Sequence, residues 1–194
     1  MPEIRIYFEG DKALRSGFHR FFSGIYQAAR AKRWELRLIA TGGTPRDDFS
    51  VAINTHPDAI NVLLLDSESR DDGRLTERIL REQGWPREVE SCVFWMVEMM
   101  ESWFHADQES LSRFYRDGFN RSALSRNPRV EEIPKRDLEH GLKEATRHSQ
   151  KGKYHKIHHA PELLACIDPA LVQAAAPNCR KMFDDLLGLV YADQ

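Results

Sequence analysis

Apolar runs of membrane length are missing from this chain, cysteine is scarce, and neither sign of charge predominates. A bilayer-spanning helix needs about 20 consecutive apolar residues, whereas the aliphatic stretch Val62-Leu63-Leu64-Leu65 ends at once in Asp66. Strand-like sequence begins at Ile4, which leaves no room ahead of it for a secretion signal. The three cysteines, Cys92, Cys166 and Cys179, are odd in number and in no paired spacing, so no disulfide framework is indicated. These absences imply a protein of the reducing cytoplasm with no membrane association. A balance of 28 basic against 30 acidic residues argues against a broad positive surface that coats nucleic acid. It leaves room for a small local patch. Neither Gly-x-Gly-x-x-Gly nor Gly-Lys-Thr occurs, so the chain is not an ATPase by itself.

What is present suffices for a folded core. Of the 194 residues, 41% are hydrophobic and 30% charged, ordinary proportions for a globular protein long enough to fold without staples. Four strand-like segments follow one another: Ile4–Phe8, Leu36–Ala40, Val62–Asp66 and Cys92–Val97. Between the first two, Asp11 is placed to cap one long amphipathic helix carrying Leu14, Phe18, Phe21, Phe22, Ile25, Tyr26 and Ala29. Thr41-Gly42-Gly43 forms a turn, and Asp47 or Asp48 caps a short helix carrying Phe49, Ala52 and Ile53. Leu75, Ile79 and Leu80 mark a third helix, closed by Gly84 and Pro86. The order βαβαβαβ predicts an α/β fold with an open, mostly parallel sheet.

From Glu98 onward the pattern is helical. Asp107 is placed as a cap between two short helices, residues 117–134 read as loop, and a helix carries Leu138, Leu142 and Ala145. Pro161 and Pro169 stand where helices start. A last helix with Met182, Phe183, Leu186, Leu187 and Val190 folds back onto the sheet. Residues 1–110 thus read as the α/β core and 111–194 as a helical extension packed on it.

The chemistry concentrates at strand ends. Glu9-Gly10 follows the first strand and Asp66-Ser67-Glu68 the third, at the carboxyl edge where open α/β sheets place ligands. If the strands are neighbours, three carboxylates converge. Like charges about 4 Å apart repel by roughly 4 kcal/mol at an effective dielectric near 20, so such a cluster calls for a cation or a raised pKa. Asp66 and Glu68, two apart, point to one side if the extended backbone continues. Hard oxygen ligands suit Mg²⁺ or Mn²⁺. The reading expects metal ligation by Glu9, Asp66 and Glu68, with Glu9 also able to act as general acid or base. Acidic strand ends that merely meet solvent are the plainer alternative.

The combination of Glu9-Gly10 with Asp66-Ser67-Glu68 resembles the TOPRIM fold of topoisomerases, primases and OLD-type nucleases. Glu68 departs from that pattern, which has aspartate at this position. Over nearly the whole chain the sequence also resembles a family of small bacterial TOPRIM-like proteins of unknown function, often found beside ABC-type ATPases in phage-defence loci. The segments that carry this are Ile6–Gly10, Thr41–Gly43, Leu65–Glu68, Met100–Asp107 and Lys151–Lys156. The resemblance implies a Mg²⁺- or Mn²⁺-dependent nuclease acting on DNA or RNA with an ABC-type ATPase as partner. It also admits a non-catalytic subunit that docks on that ATPase.

Further candidates have two readings each. Glu101 is a fourth catalytic carboxylate or a charge at a helix N-terminus, whereas Glu98 reads as solvated. Lys143, Arg147, Lys151, Lys153 and Lys156 form a basic stretch around Gly152. Within it, Lys151, Tyr154 and His155 are the expected phosphate or nucleic-acid contacts, against a solvated helix end. His148, His155, His158 and His159 lack the closed spacing of a zinc site. Arg180 is expected to pair with Asp184, and the aromatic residues Trp95, Trp103, Phe104, Phe114 and Tyr115 to form core.

Overall fold

The computed structural model describes residues 1–192; positions 193 and 194, the end of the expected extension, lie outside them. Four strands form: β1 (Glu3–Phe8), β2 (Glu35–Ala40), β3 (Ile60–Asp66) and β4 (Val93–Met96). They pair in parallel in the order β2-β1-β3-β4, so the fold is α/β with an open parallel sheet, as expected. Ile6 at the centre of β1 lies opposite Leu38 on β2 and Val62 on β3. The unbroken aliphatic run of β3 has a direct cause, since this central strand is covered on both faces.

Side chains alternate across the sheet. Ile4, Ile6, Phe8, Val62, Leu64, Phe94 and Met96 face one core, while Tyr7, Leu63, Leu65, Val93 and Trp95 face the other. The second core is closed by α3 (Pro45–Thr55) and α4 (Leu75–Gln83) through Phe49, Ala52, Leu75, Ile79 and Leu80. Everything else covers the first: α1 (Lys12–Phe21), α2 (Ser23–Ala31), α5 (Glu101–Ala106), α6 (Gln108–Tyr115), α7 (Lys135–Thr146), α8 (Lys156–Cys166), α9 (Pro169–Ala175) and α10 (Pro177–Ala192). The last of these does return to the sheet, where Phe183 packs on Phe21 and Phe22. Trp103, Phe104, Phe114 and Tyr115 are buried in the same core, and Trp95 in the opposite one.

Several local expectations need correction. The long first helix is bent at Phe22, although Phe22 N–H still donates to Phe18 O and Tyr26 N–H to Phe22 O. The bend lets Phe18, Phe21 and Phe22 all enter the core. Asp47 and Asp48 do not cap α3. Pro45 opens that helix after Thr44, and the aspartates occupy its first turn, where negative charge suits the dipole. Cys92 belongs to a 3₁₀ turn (Arg87–Cys92) rather than to β4. Pro161 lies inside α8, not at its start. The carbonyl that thereby lacks a helical donor is that of Ile157, an exposed residue. Arg180 donates through Nε to Gln173 O at 3.1 Å, joining α9 to α10 instead of pairing with Asp184. Asp107 does cap α6, accepting from Ser110 N–H at 3.0 Å.

Candidate active site at the switch point of the sheet

The chain leaves β1 towards β2 on one side and resumes at β3 on the other. The crevice between β1 and β3 is therefore the topological switch point, the place where open α/β sheets bind ligands. Glu9 stands just past the end of β1, and Asp66 is the last residue of β3. Both line one cleft of about 320 Å³, together with Gly10, Asp11, Leu14, Gly42, Met96, Met100, Lys156, Ile157, Ala160 and Pro161.

Local structure fixes each wall. Past β1 the backbone takes φ +140° at Gly10, a conformation that favours glycine. Gly10 then exchanges two backbone hydrogen bonds with Gly42, at 3.1 and 3.0 Å. Gly42 N–H is thereby used, so the Gly42-Gly43 turn does not present it to a phosphate. Asp11 caps α1 by accepting from Ala13 and Leu14 N–H. On the opposite wall Gly17 lets α8 press against α1, since a Cβ there would come within 2.5 Å of Pro161 O. That contact brings the first turn of α8, with Lys156 and Ile157, to the cleft.

One half-buried carboxylate, Asp66, and one fully buried carboxylate, Glu101, meet one ammonium. Asp66 Oδ1 accepts from Met100 N–H at 2.7 Å, and Lys156 Nζ lies 3.4 Å from Asp66 Oδ2. The same ammonium lies 3.7 Å from Glu101 Oε2. Glu101 is 1% exposed, and its other oxygen accepts from the buried Tyr154 hydroxyl at 2.8 Å. Burial raises the Asp66 pKa to about 6; Lys156 opposes the rise, Glu101 and Glu68 add to it, and the Met100 N–H opposes it. Burial pulls the Lys156 pKa down, but Glu101, Asp66 and Glu9 outweigh it, so the ammonium stays charged. Burial and then Glu101 push the Tyr154 hydroxyl far up, so it remains a donor.

The other expected residues are placed elsewhere. Glu68 does not follow Asp66 to one side: its φ is +58°, in the left-handed region. Its carboxylate is turned to the Lys135 ammonium. The reversal arises because Glu68 N–H bonds Glu98 O at 3.0 Å. Glu98 is itself buried, contrary to its expected solvation, and accepts from Lys135 N–H at 3.2 Å. Lys151 pairs with Glu162 at 2.9 Å and sits over the Phe114 ring. His155 is exposed, with its ring against His158. Lys151, Tyr154 and His155 do not line the cleft, whereas Lys156 does. Lys156 differs from its basic neighbours only in opening a helix, a signal too weak to single it out by sequence.

Donor chemistry at the site fits a hard divalent cation, because Glu101 Oε2 is buried and accepts no hydrogen bond. Among the described residues no three ligand-type side chains converge as they stand. The Lys156 ammonium takes the position shared by Asp66 and Glu101.

The fold and this edge define an α/β protein with a partly apolar, acid-lined cleft at its switch point. Residues 12–187 match the model of a family described as a domain of unknown function, DUF4276, and the chain belongs to that family. No curated protein and no solved structure matches it.

Proposed function

We propose that the chain is a TOPRIM-like, metal-assisted enzyme that cleaves phosphodiesters at this cleft. The observation that carries the reading is the convergence of Asp66, half-buried in the cleft wall, and the buried Glu101 on one cation position at the switch point. Asp66 and Glu101 would hold Mg²⁺ or Mn²⁺, with Glu9 at the mouth as a further ligand. Such a cation supplies polarisation of the phosphodiester and stabilisation of the leaving oxygen. The chain's own residues do the rest. Met100 N–H and the Tyr154 hydroxyl fix the two carboxylates, which keeps the site preorganised. Lys156, displaced from between the two acids by the cation, would offer its ammonium to a non-bridging phosphate oxygen, and Glu9 is exposed enough to move a proton to or from the reacting oxygens. From the resemblance we carry over a role as effector of a phage-defence system, with an ABC-type ATPase partner, in the cytoplasm.

A second reading is a non-catalytic subunit that docks on such an ATPase. It is favoured by the Glu68–Lys135 pair, which removes one expected ligand, and by the lysine lodged between the remaining two. Cleavage of plasmid, single-stranded DNA and RNA with Mn²⁺ or Mg²⁺, with and without the ATPase, decides between them. Loss of cleavage in both Asp66→Asn and Glu101→Gln supports the enzyme. Stable assembly with the ATPase and no cleavage under any metal supports the docking subunit.

A further inference from the structure

The cleft is chemically mixed. Glu9, Asp11, Asp66 and Lys156 line it together with the apolar Leu14, Met96, Met100, Ile157, Ala160 and Pro161. Ile157 is 64% exposed, an aliphatic side chain held at the mouth with nothing on it. A volume of about 320 Å³ is at the small end of ligand pockets. It has room for a single flat apolar group beside the charged side chains, and none for stacked base pairs.

A second concavity lies on the other side of α1. It is lined by Lys12, Arg15 and His19 on that helix and by Arg5 and Arg37 on the adjoining strands. Glu3 pairs with both Arg5 and Arg37, and Glu35 also pairs with Arg37. Among the described residues Lys12, Arg15 and His19 have no carboxylate partner. In a chain of net charge −2, Lys12 and Arg15 are a local concentration of free positive charge, with the His19 ring as a further polar group. Lys12 and Arg15 stand within the first turns of α1, whose Asp11 and Leu14 line the cleft. The two concavities are thus separated by one helix, a width of roughly 10 Å.

Resting on the phosphodiester reading above, we infer that the substrate is a single-stranded polynucleotide. One unstacked base packs on the apolar side chains of the cleft, next to the phosphate held by Lys156. The continuing backbone crosses the start of α1 onto Lys12, Arg15 and His19. An intact duplex is excluded because its bases are not free to enter.

The test is anisotropy of labelled oligonucleotides, with Ca²⁺ present, on the full chain and on Ile157→Asp and Arg15→Glu. The probes are a single strand, the same strand made abasic throughout, and the blunt duplex. The single strand is expected to bind at least tenfold more tightly than the other two, a factor equal to about 1.4 kcal/mol. Ile157→Asp should erase the preference over the abasic strand. Arg15→Glu should keep that preference but weaken both strands and flatten the salt dependence by about one contact. Equal binding of normal and abasic strands overturns the base subsite while leaving the phosphate reading intact. Duplex binding as tight as single-strand binding also overturns it. No binding of any probe overturns the phosphodiester reading and this inference together.

Discussion

Gly17 of α1 and Pro161 of α8 are in backbone contact so close that a methyl group at Gly17 would stand 2.5 Å from the Pro161 carbonyl oxygen. The contact is structural, yet it sets the cleft, because α8 brings Lys156 to Asp66. Gly17→Ala is expected to force the helices apart at a cost of about 1–3 kcal/mol. For a chain of this size that lowers Tm by roughly 2–12 °C. Gly24→Ala is the control: nothing lies within 4 Å of its new methyl, and a helical alanine should stabilise by about 0.5–1 kcal/mol. Equal melting temperatures for the two variants would refute the close-approach account.

Tyr154→Phe removes the donor to a carboxylate oxygen of Glu101 while leaving the ring in place. An acceptor stranded in the core costs about 1–3 kcal/mol, and urea unfolding should show that loss with an unchanged slope. Adding Glu101→Gln to Tyr154→Phe should recover part of it, since the stranded charge is then gone. A double variant no more stable than Tyr154→Phe alone would show that the hydroxyl acts elsewhere.

Lys156→Met deletes the ammonium between Asp66 and Glu101. The two carboxylates then lack a resident counter-charge, so Mn²⁺ should raise Tm more in the variant than in the wild-type chain, by mass action on the folded state. Cleavage should fall at the same time, because the phosphate contact is lost. A metal-induced rise no larger than wild type would remove the cation site from consideration.

Glu68→Ala is expected to leave cleavage close to wild type, whereas Asp66→Asn abolishes it. The Glu68–Lys135 pair is solvent-accessible, and such pairs contribute at most about 1 kcal/mol. Steady-state rates for the two variants give the comparison. Equal losses would restore the Asp-x-Glu ligand pair expected from sequence.

His105 makes stability depend on pH. Its ring is 3% exposed, Nε2 faces Leu138 O at 3.2 Å, and burial lowers its pKa to about 4, with the Leu138 carbonyl opposing. The unfolded chain therefore takes up this proton first. The stability linked to the neutral ring is whole above about pH 6.5 and declines as pH falls towards 4. The expected loss is about 2 kcal/mol by pH 5. Urea titrations at pH 7 and 5 should show that step in the wild-type chain and a smaller one in His105→Gln.

How much of this is legible in the residues varies with distance along the chain. β3 is readable because a central strand covered on both faces must be continuously apolar, and Asp66 marks where cover ends. Asp11 and Asp107 are readable because capping acts over three residues. The pairing of Asp66 with Glu68 is not, since a two-residue period holds only while the backbone stays extended. A single left-handed residue reverses it, and that residue is set by Glu98, which belongs to a distant part of the sequence. Lys156 is hidden for a similar reason. It is one of several basic residues from Lys143 onward, and only the docking of α8 on Gly17 selects it. Glu101 admits two readings because a helix N-terminus also welcomes an acid. What separates them is its burial beside Tyr154, which no local pattern encodes.

The paired hydrogen bonds between Gly10 and Gly42 have a consequence for motion. They weld the ends of β1 and β2 into a fixed anvil below Glu9. The facing jaw, the first turn of α8, hangs from a loop that turns at Gly152 with φ +80° and has open space around that glycine. Widening on the α8 side, pivoting about the Gly17–Pro161 contact, would carry Lys156 away from the acids and leave their shared position open to a cation.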